Sequence, residues 1–446
     1  MKSQTATYRG KQELEGGRGA GEDQQMSAPV DALTAVPRCP IVSGRSYDPM
    51  DPEQAGNQYP WLSAAQKQAP VFYMPDYDMW CVTRYEDVLR IVRDVEHFSS
   101  RGVIPNDLHP DVAELLPAGH PFSRALVNSD PPEHTRRRKA MQRAFTPKAI
   151  ATWTPRVHQL ANELIDEFIG RGECNLVSDF AIKLSLQVVA LLVGIPPEKA
   201  SEYHSLSLRQ LTVSASGPIT ASQRRVTAER TSSFVSYLKE LLEQRRDEPK
   251  DDLVSYLVNA ATRPGDPALT IDEMVSALMN VIGASIGNTV TGIALMFREL
   301  LRGGQWQAVR RSPALVSSCV EESLRWHDPA QAVLRITTRP VTIAGQDIPA
   351  GTKVYAHYGA AQRDPRMFSD PDRFDIERSD LGRHFALGKG AHTCLGAPMA
   401  RLEMQESLRC FMERIPELRL VGDGEPTWIP DFVGAQVVEL LLEWDT

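Results

Sequence analysis

Apolar residues recur at helical spacing along most of this chain and at strand spacing only in short runs. Val157, Leu160, Ala161, Leu164, Ile165 and Phe168 fall on one face of a helix that opens near Trp153, and residues 182–192 continue the same period. Met404, Leu408, Phe411, Met412 and Ile415 repeat it near the C-terminus, behind Pro398, which suits a first helical turn. By contrast, Val71-Phe72-Tyr73 and Trp80-Cys81-Val82-Thr83 predict two short strands around a Pro-Asp turn, with a helix starting near Tyr85. Val341-Thr342-Ile343, Gly345, Val354-Tyr355-Ala356 and residues 437–444 predict a few more strands, the last preceded by a turn at Asp431-Phe432-Val433-Gly434 placed to touch a ligand. The pattern predicts a mainly α fold with a small β portion.

The longest apolar stretch, 274–297, has no charged residue and exceeds the roughly 20 residues needed to span a bilayer. Ser276, Asn280, Ser285, Asn288, Thr289 and Thr291 distribute polarity around it and no interfacial aromatic belt flanks it. A helix buried in a large core is therefore expected, with no membrane contact. Thr270-Ile271-Asp272-Glu273 supplies a capping box at its start. Gly283 and Gly287 inside it each cost about 1 kcal/mol relative to alanine, which calls for a packing or functional reason.

Polar segments punctuate this pattern. Residues 1–35, rich in Gly, Glu and Gln without an apolar core, predict a disordered tail, and 36–446 a single domain. Residues 101–126, with several prolines, predict a long loop bordering a pocket. Residues 197–244 predict two helices joined flexibly at Gly217-Pro218.

A net charge of −8 argues against nonspecific nucleic-acid binding and leaves small-molecule chemistry. The six cysteines show no clustered spacing, as expected of free thiols in a reducing cytoplasm.

The chemistry concentrates in residues 385–403, which read Phe-Ala-Leu-Gly-Lys-Gly-Ala-His-Thr-Cys-Leu-Gly-Ala-Pro-Met-Ala-Arg-Leu-Glu around Cys394. Gly388, Gly390 and Gly396 free the backbone to turn N–H groups toward the sulfur, and the following helix adds its positive end. A phosphate loop fails because Gly390, not Ser or Thr, follows Lys389, and a dinucleotide fingerprint fails at Thr393. Structural zinc wants four ligands where only His384, His392 and Cys394 lie close. A thiolate metal ligand, a Cys–His nucleophile and an inert buried cysteine all remain open on these residues.

The pattern Leu-Gly-x-Gly-x-His-x-Cys-x-Gly over residues 387–396, continuing through Ala397-Pro398-Met399-Ala400-Arg401-Leu402-Glu403, resembles the haem-binding loop of the cytochrome P450 family. Leu387 stands where that family usually has phenylalanine, with Phe385 two positions earlier. The resemblance extends over about residues 47–444. It implies a cytochrome P450 fold with haem b (iron protoporphyrin IX) between the long helix and the Cys394 loop.

Cys394 would be the iron ligand and His392 a cofactor contact. His134 and Arg138, in Asp130-Pro131-Pro132-Glu133-His134-Thr135-Arg136-Arg137-Arg138, resemble the His-x-x-x-Arg element that faces the haem propionates, and Arg335 an arginine that reaches one of them. Glu322 and Arg325 resemble the buried Glu-x-x-Arg pair, completed by an arginine placed at Arg373. Gly287 and Asn288, followed by Thr289, replace the family's acid-then-threonine pair.

What the resemblance implies is a cytoplasmic monooxygenase that inserts one atom of O2 into an apolar small molecule. Electrons would come from NAD(P)H through ferredoxin reductase and ferredoxin, the latter docking on Arg136, Arg137, Lys139, Lys389 and Arg401. Oxidative coupling or another non-hydroxylating oxidation is the alternative that Gly287 and Asn288 motivate, and a non-catalytic haem binder the third.

Overall fold

The faces read from the sequence close on one another as packed layers. The computed structural model describes residues 36–446 except 105–106, 118, 120, 208–219, 261–262 and 264, and side chains are not described at 121–122 and 207. The tail expected over 1–35 and the connection at Gly217-Pro218 lie outside the described residues.

The first half carries α1 (Tyr59–Gln68), β1 (Val71–Met74), β2 (Met79–Val82), α2 (Tyr85–Arg93), β3 (Phe98–Ser99), α3 (Glu133–Met141), α4 (Pro147–Ala151), α5 (Thr154–Asp166), β4 (Glu173–Asn175), α6 (Ile182–Val193), α7 (Pro197–Ser207) and α8 (Ala221–Asp247). The second carries α9 (Leu253–Val258), α10 (Ile271–Ser285), α11 (Gly287–Arg302), α12 (Trp306–Arg311), α13 (Leu315–Trp326), β5 (Ala332–Thr337), β6 (Val341–Ile343), β7 (Gln346–Ile348) and β8 (Lys353–His357). Then come α14 (Tyr358–Ala361), α15 (Ala397–Arg414), β9 (Arg419–Leu420), β10 (Thr427–Ile429), β11 (Gln436–Glu439) and β12 (Leu441–Glu443). Pro37–Thr446 gather as one unit.

The predicted hairpin forms with Phe72 opposite Cys81, and β2 then pairs in parallel with β8, giving a sheet of order β1-β2-β8-β5-β3. Residues 437–444 contribute to two strands rather than one. β11 pairs with β10, while β12 pairs with β4 and β9.

On α5, Val157, Leu160, Ala161, Leu164 and Ile165 are buried, the face that periodicity predicts. They pack with Phe168, Phe180, Phe297 and Phe411 in the main core. Among the described residues, two stretches are long and apolar enough to cross a membrane, Leu176–Val193 and Ile271–Arg302, and each is 61% buried in the protein across its most apolar window. The capping box is present, Thr270 Oγ1 accepting from Glu273 N at 3.2 Å and Glu273 Oε2 accepting from Thr270 N at 3.0 Å.

The long helix is not continuous. It breaks at Ile286 (φ −91°, ψ −65°), so that α10 ends at Ser285 and α11 begins at Gly287. Ser285 Oγ donates to Val281 O at 2.6 Å and Thr289 Oγ1 to Ser285 O at 2.8 Å, so side chains satisfy carbonyls around the break.

A buried ionic knot fixes α13 beneath the loop before α15. Glu322 and Arg325 are both fully buried, with Arg325 Nε on Glu322 Oε2 at 2.7 Å and Nη2 on Oε1 at 2.8 Å. The expected third arginine is not Arg373, which is exposed and offers only its carbonyl, to Arg325 and Arg378. Arg378 takes that place. It is buried, its Nε lies 3.3 Å from Glu322 Oε2, and its Nη2 donates to Asp370 O and Arg373 O, each at 2.9 Å. The irregular segment 363–378, a meander, curls the carbonyls of Ser369, Asp370 and Arg373 around the Arg378 guanidinium, which is why the inward-turning arginine comes five positions later.

Candidate functional site

The Cys394 loop is held open by backbone. Gly388 N donates to Phe385 O at 2.6 Å and Cys394 N to Leu387 O at 2.7 Å. Gly390 has φ +74°, and a Cβ there would lie 2.5 Å from Val92 O on α2, so only glycine fits. A Cβ on Gly396 would sit 3.9 Å from the Cys394 sulfur. Phe385 is fully buried and stacks on Tyr358 at 5.2 Å, while Leu387, half-buried, lies nearer the cysteine.

Cys394 is solvent-exposed although much protein surrounds it. Burial pushes its thiol up, opposed by the N–H of Gly396, the Arg138 charge, the N–H of Ala397 and the Arg401 charge. These four groups favour thiolate as soon as a metal compensates the burial.

Four further residues converge across the fold. The rings of His134 on α3 and His392 on the loop lie 4.2 Å apart. Burial first, then neighbouring arginines, hold His134 down at about 4 and His392 at about 3, so both imidazoles are neutral near neutral pH. His392 Nε2 lies 3.0 Å from Ser100 Oγ, and His134 Nε2 is buried with no partner. Arg335 on β5 is buried and donates to the carbonyl of Leu334 at 2.7 Å. Among the described residues neither it nor Arg138 forms an ion pair with a carboxylate.

Two uncompensated guanidiniums and an orphaned imidazole nitrogen beside an exposed, N–H-bonded sulfur are a donor set for a ligand that carries both a metal and two carboxylates. The residues present therefore fit haem b. Sequence reading missed Ser100, which reaches His392 only through tertiary packing.

Of the residues expected to replace the acid-then-threonine pair, Gly287 opens α11 directly after the break, and a Cβ there would meet the Gln436 amide of β11 at 3.6 Å. Asn288 is exposed and Thr289 is buried, its hydroxyl engaged by Ser285 O.

Cys410, the other cysteine near this region, is placed differently. It is fully buried inside α15, with its sulfur 3.4 Å from both His158 Nδ1 and Asn162 Nδ2 of α5. That helix-to-helix contact presents no open face for a flat macrocycle.

The cations expected to dock a ferredoxin are partly engaged within the protein. Arg136 and Arg137 both pair with Glu273, holding its carboxyl at about 2 against the effect of burial, and Arg401 pairs with Glu321 at 2.5 Å. Lys139 and Lys389 have no acidic partner among the described residues. An open groove of about 800 Å³ is lined by Pro131, Thr135, Arg136, Lys139, Asp266 and Pro267 among others, and neither His134 nor Arg138 lines it.

A family model described as Cytochrome P450 matches residues 305–415. The chain is 35% identical over 353 residues to cytochrome P450 107B1 of Saccharopolyspora erythraea, covering 78% of this chain and 84% of the relative. It is 34% identical over 357 residues to 6-deoxyerythronolide B hydroxylase of the same organism, covering 78% and 85%. The crystal structure of CYP109E1 from Bacillus megaterium in complex with testosterone superposes with a TM-score of 0.78 at 28% identity, covering 89% of this chain and all of that one. The fold, a cysteine-ligated haem b and the oxidoreductase class follow together, and this chain belongs to the cytochrome P450 monooxygenase family.

Proposed function

We propose that Cys394 is the haem-ligating thiolate and that the protein inserts one oxygen atom from O2 into an apolar small molecule. The observation that carries this is the convergence of unpaired Arg138 and Arg335 with neutral His134 and His392 beside the one cysteine whose sulfur faces open space and backbone N–H groups. Thiolate-ligated haem supplies O–O cleavage and an oxidant for C–H bonds.

The chain supplies position. Arg138, Arg335 and His134 would hold the two carboxylates of the cofactor, and His392, steadied by Ser100, would fix the loop beside them. The resemblance puts the α10–α11 break at Ile286 on the side of the cofactor away from Cys394. Asn288 presents an amide that donates a hydrogen bond but cannot relay a proton as a hydroxyl does. Thr289 keeps its hydroxyl on Ser285 O, so ordered water or a polar group of the substrate completes proton delivery.

Relatives that hydroxylate 6-deoxyerythronolide B or hold testosterone support a bulky, largely apolar substrate. Electrons arrive from NAD(P)H through ferredoxin reductase and ferredoxin in the cytoplasm, with Lys139 and Lys389 the cations left for docking. A reconstitution with these partners and a library of apolar natural products tests the reading. Product carrying one labelled oxygen from O2 supports it; turnover without inserted oxygen favours oxidative coupling, the second reading, which the loss of the acid at Gly287 motivates.

A further inference from the structure

Outside the haem region, a second set of metal-type ligands is assembled by two packed helices. On α5, His158 and Asn162 are four residues apart, and on α15 Glu406 and Cys410 are four apart, so each pair shares one helix face. The faces meet. His158 Nδ1 lies 2.9 Å from Glu406 Oε2 and 3.4 Å from Cys410 Sγ, and the three ligand atoms all fall within 4.8 Å of one another.

A tetrahedral zinc ion with bonds of about 2.0–2.3 Å sets its ligand atoms roughly 3.3–3.7 Å apart, so little rearrangement is needed to admit one. Side chains on facing helices are a common way for helical proteins to hold metals. We propose that His158, Glu406 and Cys410 bind a zinc-type divalent cation that ties α5 to α15.

The surroundings define the ion's chemistry. Imidazole, carboxylate and thiolate together favour zinc over magnesium or calcium, which take oxygen ligands. Arg409 holds Glu406 Oε1, leaving Oε2 as a single-oxygen ligand, and Asn162 Nδ2 donates to the Cys410 sulfur at 3.4 Å, steadying it. Glu406 and Cys410 are buried, whereas the His158 side chain is 40% exposed, so the ion enters past the imidazole and water takes the fourth position. On binding, the Cys410 S–H proton passes to solvent and the sulfur–zinc bond replaces it, with no change in oxidation state. Because α15 begins just after Cys394, the clamp stabilises the helix that anchors the haem loop without touching that loop.

The test uses purified holoenzyme treated with EDTA and then titrated with Zn²⁺ alone or Mg²⁺ alone. One Zn²⁺ per chain, a thermal midpoint raised by ~2 °C or more at saturation, and no Mg²⁺ effect are expected. The zinc-edge X-ray absorption spectrum should show one sulfur at ~2.3 Å. His158→Ala, at a half-exposed position that folding tolerates, and Cys410→Ala should each abolish the zinc-dependent increment measured against the variant's own zinc-free baseline. A zinc increment that survives both substitutions, the absence of any zinc-specific increment, or an edge spectrum without sulfur would overturn the proposal.

Discussion

Cys394 and Cys410 belong to one loop-and-helix element, yet their surroundings are opposite. Cys394 is exposed and ringed by backbone: the N–H groups of Gly396 and Ala397 lower its thiol against burial, with Arg138 and Arg401 adding charge. Cys410 lies inside α15, where backbone N–H groups are already bonded to carbonyls four residues back. Its neighbours are side chains, and burial, with Glu406 and Glu413, pushes its thiol up to about 12. The same side chain is thus a candidate haem ligand where glycines release the backbone toward it, and a helix-packing group or small-ion ligand where the helix withholds that backbone.

The largest predicted effect tests the platform under the Cys394 loop. Arg325→Ala leaves Glu322 buried without its main partner and should lower stability by about 3–5 kcal/mol in urea unfolding, with loss of haem. Arg378→Ala, which removes charged hydrogen bonds to Glu322 and the meander carbonyls, should cost about 1.5–3 kcal/mol. Arg373→Ala should stay within about 0.5 kcal/mol, because its side chain takes no part in the knot. A larger loss for Arg373→Ala than for Arg378→Ala would reverse the assignment.

Next in size are paired changes at the two cysteines' supports. Gly390→Ala forces a side chain toward Val92 O from a left-handed backbone and should cost roughly 2 kcal/mol and lower haem content. Cys410→Ala should cost about 1–2 kcal/mol as a small core deletion and leave the haem spectrum unchanged. Absorbance per chain after purification separates the two.

How much of this was legible follows the range of the interactions. The α5 face, the β1–β2 hairpin and the Thr270–Glu273 box were readable because each is set by residues within a few positions. Arg378 rather than Arg373 turns inward because segment 363–378 is irregular, and the choice depends on where the carbonyls of 369–373 point. The break at Ile286 carries no proline to announce it; it is satisfied by Ser285 and Thr289, which read locally as ordinary polar positions. Ser100 beneath His392 and Gln436 over Gly287 are contacts between distant segments and had no signal in the chain.

A smaller effect is expected at the start of α11. Asn288→Ala should reduce coupling of NAD(P)H use to product and raise hydrogen peroxide, whereas Asn288→Thr should keep substantial activity. Unchanged coupling in Asn288→Ala would remove this residue from proton delivery.

The smallest change concerns pH. His134 and His392 are depressed in the folded protein, to about 4 and about 3, by burial and nearby arginines, while the unfolded chain titrates near 6.5. Below about 6.5 the unfolded state binds more protons, so stability is full above that pH and falls as pH drops toward the folded values. Between pH 7 and 6 each imidazole should contribute a loss of about 0.7 kcal/mol. With haem bound the loss should shrink, because propionates favour the protonated rings. An equal pH dependence with and without haem would argue that the two histidines do not face the cofactor.

The most direct test compares Cys394→Ser with Cys410→Ser, each purified with haem, reduced and exposed to carbon monoxide. Cys410→Ser should keep the red-shifted Soret band of thiolate ligation and Cys394→Ser should lose it. Retention of that band in Cys394→Ser, or its loss in folded Cys410→Ser, would contradict the assignment.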